Sequence, residues 1–177
     1  MSASASSVWP GQRSADGALR MIDVVAVPDN VNATNVEKLV NQADVVVCCA
    51  PMFEERLLLN EQCVQQSKPM VDCAMYELEL QLTTVLPGRT PCLACLYPGT
   101  PPAWQRQFPV FGAVAGTVGC LGAMEAIKVL AGLGEPLAGK MLTADMGTMT
   151  FRTATLQRHP ACPECATAAR QFGPTQG

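Results

Sequence analysis

Histidine is almost missing from this sequence. His159 stands alone among 177 residues, which leaves little support for a Ser-His-Asp or Cys-His device, since both need an imidazole held by a third group. Charge is sparse as well. Asp, Glu, Lys and Arg make up 15% of the chain and the formal net charge is -3, so no basic patch is available for a phosphate backbone and nucleic acid is not an expected partner. Aromatic residues, at 5%, are too few to suggest base stacking. No G-x-G-x-x-G occurs anywhere, which removes support for a dehydrogenase-like dinucleotide site. The N-terminus shows no cationic start followed by an apolar core, so no secretory signal is read there. The one long apolar run, Pro109–Met124, has 16 residues before Glu125 and Lys128 interrupt it. A membrane-spanning helix needs about 20, so the expectation is a buried helix and no membrane.

What the sequence has in quantity is apolar residues, 49%, and nine cysteines. Enough apolar surface is present for one domain with a real core. An odd cysteine count without a signal points to a reducing cytoplasm with free thiols and a metal site rather than to a disulfide framework. Four of the nine form two doublets, Cys92-Leu93-Ala94-Cys95 and Cys162-Pro163-Glu164-Cys165, with 66 residues between them. Two thiolates two residues apart bind one ion from a single tight turn, and two such turns complete a tetrahedral tetrathiolate site, for which zinc is the best fit. Cys92, Cys95, Cys162 and Cys165 are therefore the candidate ligands of a structural zinc that ties the end of the domain to its middle. With four thiolates present, His159 is read as a solvated loop residue. Cys48, Cys49, Cys63, Cys73 and Cys120 are read as small core residues. A redox role for Cys48-Cys49 would require a depressed thiol pKa, and no cationic neighbour in the sequence supplies one.

In chain order, residues 1–17 are expected to be a disordered lead-in, residues 18–166 a single domain, and residues 167–177 a loose tail. Ala18–Met21 reads as the tail of a helix and Val24–Val27 as a buried strand ending at Pro28. Thr34 and Glu37 have capping-box spacing ahead of a short helix over Asn35–Gln42. Asp44–Cys49 reads as a parallel strand covered on both faces. Phe53–Gln66 reads as a helix with Phe53, Leu57, Asn60 and Val64 along one face. Pro69–Cys73 is a further strand. Glu77–Leu86 follows as a strand whose alternating Leu78, Leu80 and Leu82 suggest antiparallel pairing over a core. A proline-rich loop leads to a helix from about Val110 to Leu133, closed by Gly134. Gly112, Gly116, Gly119 and Ala123 line one of its faces as a packing device. Lys140–Ala144 and Thr148–Leu156 read as strands around a turn at Met146-Gly147. Arg106, Arg152 and Arg158 are taken as surface charges. The fold class is α/β: an incomplete Rossmann-like parallel sheet continuing into antiparallel strands, with a long buried helix and a four-cysteine zinc clasp.

From Asp44 onward the chain resembles the ubiquitin-activating-enzyme-like family, the ThiF/MoeB/HesA group of adenylyltransferases. The residues that carry the resemblance are Asp44-Val-Val-Val, Arg56 and Asn60, and Leu86-Pro-Gly before Pro91-Cys-Leu-Ala-Cys-Leu-Tyr-Pro98. The stretches Gly119–Lys128 and Gly134–Gly139, then Asp145, Phe151-Arg152 and the Cys-Pro-Glu-Cys ending, continue it. The resemblance implies a structural zinc on the four doublet cysteines and a homodimeric or heterodimeric cytoplasmic protein. Relatives activate the C-terminal glycine of a small ubiquitin-like sulfur carrier with ATP. Arg56 and Asn60 are carried over as candidate partner-binding residues.

The sequence also departs from that family. The Gly-rich phosphate turn is absent, so ATP and magnesium are not expected to bind the isolated chain. Where the family places Asp-Asn ahead of the helix, this chain has Pro51-Met52, which offer no charged oxygen to a hard cation, and Glu54 or Glu55 would point from a helix one turn on. Some relatives carry a reactive cysteine before the long helix; the stretch Trp104-Gln105-Arg106-Gln107 has none. No residue is assigned a catalytic or nucleotide-binding role. The expected function is that of a partial member of the family, a non-catalytic or complementing subunit. The alternative is a zinc-stabilised dimerisation or protein-interaction module with no enzymatic role.

Overall fold

The computed structural model describes residues 24–98 and 107–166. Residues 1–17, Ala18–Met21, 167–177 and Arg106 lie outside the described residues. Within them the chain runs α1 (Val36–Asn41), β1 (Val46–Cys48), α2 (Phe53–Gln65), β2 (Met70–Tyr76), β3 (Glu79–Val85), α3 (Leu93–Leu96), α4 (Gly112–Ala131), β4 (Lys140–Asp145) and β5 (Thr150–Thr155). The strands form one five-stranded sheet in sequence order. β1 pairs parallel with β2, with Val46 opposite Met70. The remaining pairs are antiparallel, with Met70 opposite Val85, Leu82 opposite Leu142 and Leu142 opposite Thr153. The α/β class and the change from parallel to antiparallel pairing are as the sequence implies.

Alternation along the strands splits the interior into two layers. On one face Met70, Val85 and Cys48 pack with α1, α2 and the four doublet cysteines. On the other face Val71, Cys73, Leu80 and Leu82 pack under α4 through Val114, Val118 and Ala126. α2 turns Phe53, Arg56, Asn60, Cys63 and Val64 inward, the three-and-four spacing of a core-facing helix. Leu57 is only half-buried.

Several local expectations give way to tertiary context. Val24–Val27 forms no strand; Val24 and Val25 are 82% and 85% exposed, and an apolar run without a hydrogen-bonding neighbour has no ladder to join. Thr34 does not cap α1. Its amide and hydroxyl both bond Asn32 Oδ1, while the Asn32 amide donates to Asn35 Oδ1 at 2.9 Å. β1 is short and Val47 is 41% exposed; among the described residues β1 pairs with β2 alone.

The long helix differs most. By length and composition α4 would suffice to cross a bilayer, yet it lies along β2 and β3 with only one side buried. Its charges are on the protein side: Glu125 is 3% exposed, accepts from Thr84 Oγ1 and the Leu137 amide at 2.7 Å each, and pairs with Lys128. Its outward side is apolar, with Met124, Ile127 and Leu130 all exposed. The close approach to the sheet is made at Gly122, where a Cβ would lie 2.3 Å from Cys73 Sγ. A Cβ at Gly112, Gly116 or Gly119 would meet nothing within 4 Å, so that stripe is not the packing device among the described residues. The helix ends at Gly132, which takes the left-handed C-terminal position with φ 63°, two residues before Gly134.

Candidate metal clasp and the cavity beyond the parallel strands

Cys92 precedes the single turn α3 and Cys95 lies in it; the Cys95 amide closes the turn on the Cys92 carbonyl at 3.0 Å. The second doublet is framed by two turns, the Cys162 amide on the His159 carbonyl at 3.0 Å and the Ala166 amide on the Cys162 carbonyl at 3.3 Å. Seventy residues separate the partners, yet Cys92 Sγ and Cys162 Sγ stand 3.6 Å apart and Cys95 Sγ and Cys165 Sγ 3.4 Å apart. All four sulfurs fall within 4.8 Å of one another. A zinc–sulfur bond of about 2.3 Å sets a tetrahedral edge of about 3.8 Å, so the donor set and its spacing fit a metal ion and are consistent with zinc. His159 is exposed and outside the cluster.

Burial acts against ionisation at three of the clustered thiols. Burial pushes Cys165 up to about 12. Burial also raises Cys92, and the charges and thiols of Cys165 and Cys162 add to the effect. At Cys162 burial acts the same way, but the amides of Cys165 and Glu164 and the Cys95 and Cys92 thiols outweigh it and the net shift is downward. A divalent ion at the centre would reverse the penalty on ionisation.

Residues around the clasp fix the two turns to the rest of the fold. Asn60 is fully buried; its Oδ1 accepts the Leu93 amide at 2.8 Å and its amide group bonds Glu164, joining α2 to both doublets. Its side chain does not reach the surface. Arg158 donates to the Gly88 and Thr90 carbonyls at 3.1 and 2.9 Å, so it is a strut between the two doublet loops and not a free surface charge. Arg152 is exposed, as expected.

Arg56 occupies a second centre. Its guanidinium bonds both carboxylate oxygens of Asp72, at 3.1 and 2.5 Å, with the two side chains 7% and 2% exposed. Phe53 and Tyr97 stack around it, their ring centroids 5.0 and 5.6 Å from its central carbon. Burial opposes the Arg56 charge, but Asp72 outweighs it and holds the group cationic. Asp72 gave no signal in the sequence beyond being a single acidic residue in an apolar strand.

A cavity of about 280 Å³ opens next to this pair, lined by Cys49, Ala50 and Pro51 after β1, Ala74 to Tyr76 at the end of β2, and Arg56, Gln81 and Tyr97. It therefore lies beyond the carboxyl ends of the two parallel strands, where open α/β sheets bind ligands. The walls are mainly apolar, with two charged groups among them: Arg56, already paired with Asp72, and Glu79. Pro51 lines it without any acidic side chain at that position.

The sheet, the cavity and the four-cysteine cluster define a Rossmann-like α/β domain with four thiols placed to hold a metal ion. More particularly, the chain belongs to the ThiF family, whose family model matches residues 12–164. It is 46% identical over 148 residues to the HesA protein of Leptolyngbya boryana, covering 84% of this chain and 53% of that protein. To the sulfur carrier protein adenylyltransferase of Thermus thermophilus it is 36% identical over 154 residues, covering 82% and 57%. The structure matches that of E. coli MccB with ATP at a TM-score of 0.64 and 21% identity, covering 80% of this chain and 44% of that one, a likeness of fold. The chain spans about half the length of the curated relatives it matches.

Proposed function

We propose that this chain is the carrier-recognition part of a ThiF-type system that activates a small ubiquitin-like sulfur carrier. In this reading the cavity beyond β1 and β2 receives the carrier's extended C-terminal tail, and Arg56 contributes the cation that favours its terminal carboxylate. The observation that carries the proposal is that cavity: mostly apolar, beyond the ends of the parallel strands and served by a buried arginine. The Thermus relative's name, sulfur carrier protein adenylyltransferase, and that of a Haloferax volcanii relative at 40% identity, SAMP-activating enzyme E1, favour the same class of partner. No phosphate turn lies in these 177 residues, and the position lined by Pro51 has no carboxylate for magnesium, so the chain acts as a complementing subunit beside a phosphate-binding segment outside it. Asn60 serves indirectly by holding the clasp. The clasp takes one zinc, and the free thiols suit a reducing cytoplasm.

Calorimetry with a peptide ending in Gly-Gly tests this. The free-acid peptide should bind at least tenfold tighter than the amidated one, about 1.4 kcal/mol, while ATP with magnesium should show no micromolar binding to this chain alone. Equal binding of both peptides, or micromolar ATP binding, would overturn the proposal.

A second reading, a zinc-stabilised self-association module, draws on the outward apolar side of α4 formed by Met124, Ile127 and Leu130. Sedimentation of the isolated chain separates the two: self-association without peptide binding favours the module.

A further inference from the structure

Outside the clasp, Cys48 and Cys63 are sealed in the core and Cys120 stands exposed on α4. The remaining two, Cys49 and Cys73, are neighbours. β1 ends at Cys48, opposite Asp72, so Cys49 and Cys73 are the next residues along the two paired strands, and they share one cavity wall. Cys49 is exposed and Cys73 buried. Space for the second sulfur is made by the fold: a Cβ on Gly122 would lie 2.3 Å from Cys73 Sγ, so the helix keeps a glycine where the thiol sits. Neighbouring strands are about 4.8 Å apart, within the Cα separation of about 4.4–6.8 Å that a disulfide bridges.

We propose that Cys49 and Cys73 form a two-cysteine oxidative modification site, in which a peroxide oxidises Cys49 and Cys73 resolves it to a reversible cross-strand disulfide. The Cys49 thiolate attacks one peroxide oxygen; the sulfur–oxygen bond forms, the oxygen–oxygen bond breaks, and hydroxide (or alkoxide) leaves. Two electrons have passed from sulfur to the peroxide, leaving Cys49 as a sulfenic acid. The Cys73 sulfur then attacks the Cys49 sulfur, and hydroxide departs with the Cys73 proton as water. The nucleophile is suited to its part. The Cys73 thiol, outweighing burial and the Asp72 charge, holds Cys49 down to about 7. Cys48 is not the resolving partner, because it belongs to the layer on the opposite face of the sheet. The bridge would sit on the wall of the cavity; the proposal stands apart from the carrier-recognition reading.

The test uses the full chain with its bound metal, treated with a small excess of hydrogen peroxide, alkylated with N-ethylmaleimide and mapped by mass spectrometry. The expected product is a crosslinked peptide pair containing Cys49 and Cys73, lighter by two hydrogens and restored by dithiothreitol, with the four clasp cysteines unchanged. In Cys73→Ser the bridge should vanish and dimedone should label Cys49. Oxidation of Cys120 or the clasp while Cys49 stays reduced, or a bridge from Cys49 to another cysteine, would overturn the proposal, and the wild-type map alone decides it.

Discussion

The two faces of the sheet are covered by different means. On the first, α1, α2 and the doublet loops enclose Cys48, Met70 and Val85, and the cover is held by groups that demand partners: four clustered sulfurs, the Asn60 amide between Leu93 and Glu164, and the Arg56–Asp72 pair. On the second, one helix lies over Val71, Cys73, Leu80 and Leu82, brought close by Gly122 and tied through Glu125. The first layer depends on contacts between residues about 70 positions apart; without the clasp, their loop-closure entropy would oppose it. The second keeps its charges inward and its apolar side outward, the composition of a surface suited to meet another polypeptide. Groups that demand partners are concentrated on one face, and exposed apolar side chains on the other.

Removing the clasp should break this asymmetry most. Cys165→Ser, or extraction of the metal with a chelator, is expected to eliminate most of the domain's stability, about 5–15 kcal/mol for a chain of this kind. Thermal melting should lose its cooperativity and metal analysis should fall from about one zinc per chain, the stoichiometry of a four-thiolate site. A metal-free protein with unchanged melting would refute the zinc assignment.

Next in size is the ion pair on the same face. Asp72→Ala leaves the Arg56 guanidinium buried without its carboxylate and should cost about 3–5 kcal/mol in urea unfolding. The double variant Arg56→Met with Asp72→Leu should recover most of that loss, since apolar groups of similar volume replace a buried pair at little cost. Failure of the double variant to recover would mean that the pair does more than satisfy itself.

The smallest effects sharpen the contrast on the helix side. Gly122→Ala inserts a methyl group at the Cys73 sulfur and should destabilise by about 1–3 kcal/mol. Gly116→Ala, with open space around it, should be neutral or stabilising by up to about 1 kcal/mol. Equal effects at the two positions would show that Gly116 is covered in solution.

Much of this was readable beforehand, for identifiable reasons. The doublets were legible because C-x-x-C encodes its own local turn and the ligand chemistry requires a second copy. α2 and β3 were legible because their apolar spacing is long enough to show a period, and β4 because a turn signal at Met146-Gly147 follows it. The Arg56–Asp72 pair was not, since nothing local to Asp72 in Met70-Val-Asp-Cys73 marks a partner on the preceding helix 16 residues away. The glycine reading of α4 named the wrong positions because a period of three or four identifies a face but not what lies against it. Cys120, taken for core, is exposed for the same reason.

The sequence by itself determined most of the element types, the four cysteines that cluster and the family, because each is written in short-range pattern or in residue chemistry. Tertiary structure alone decided which side of α4 is buried, that Asn60 and Arg158 brace the clasp, that Asp72 meets Arg56, and that Cys49 lies beside Cys73. Those facts depend on register and on distance in space, and a linear pattern has no term for either until the strands pair.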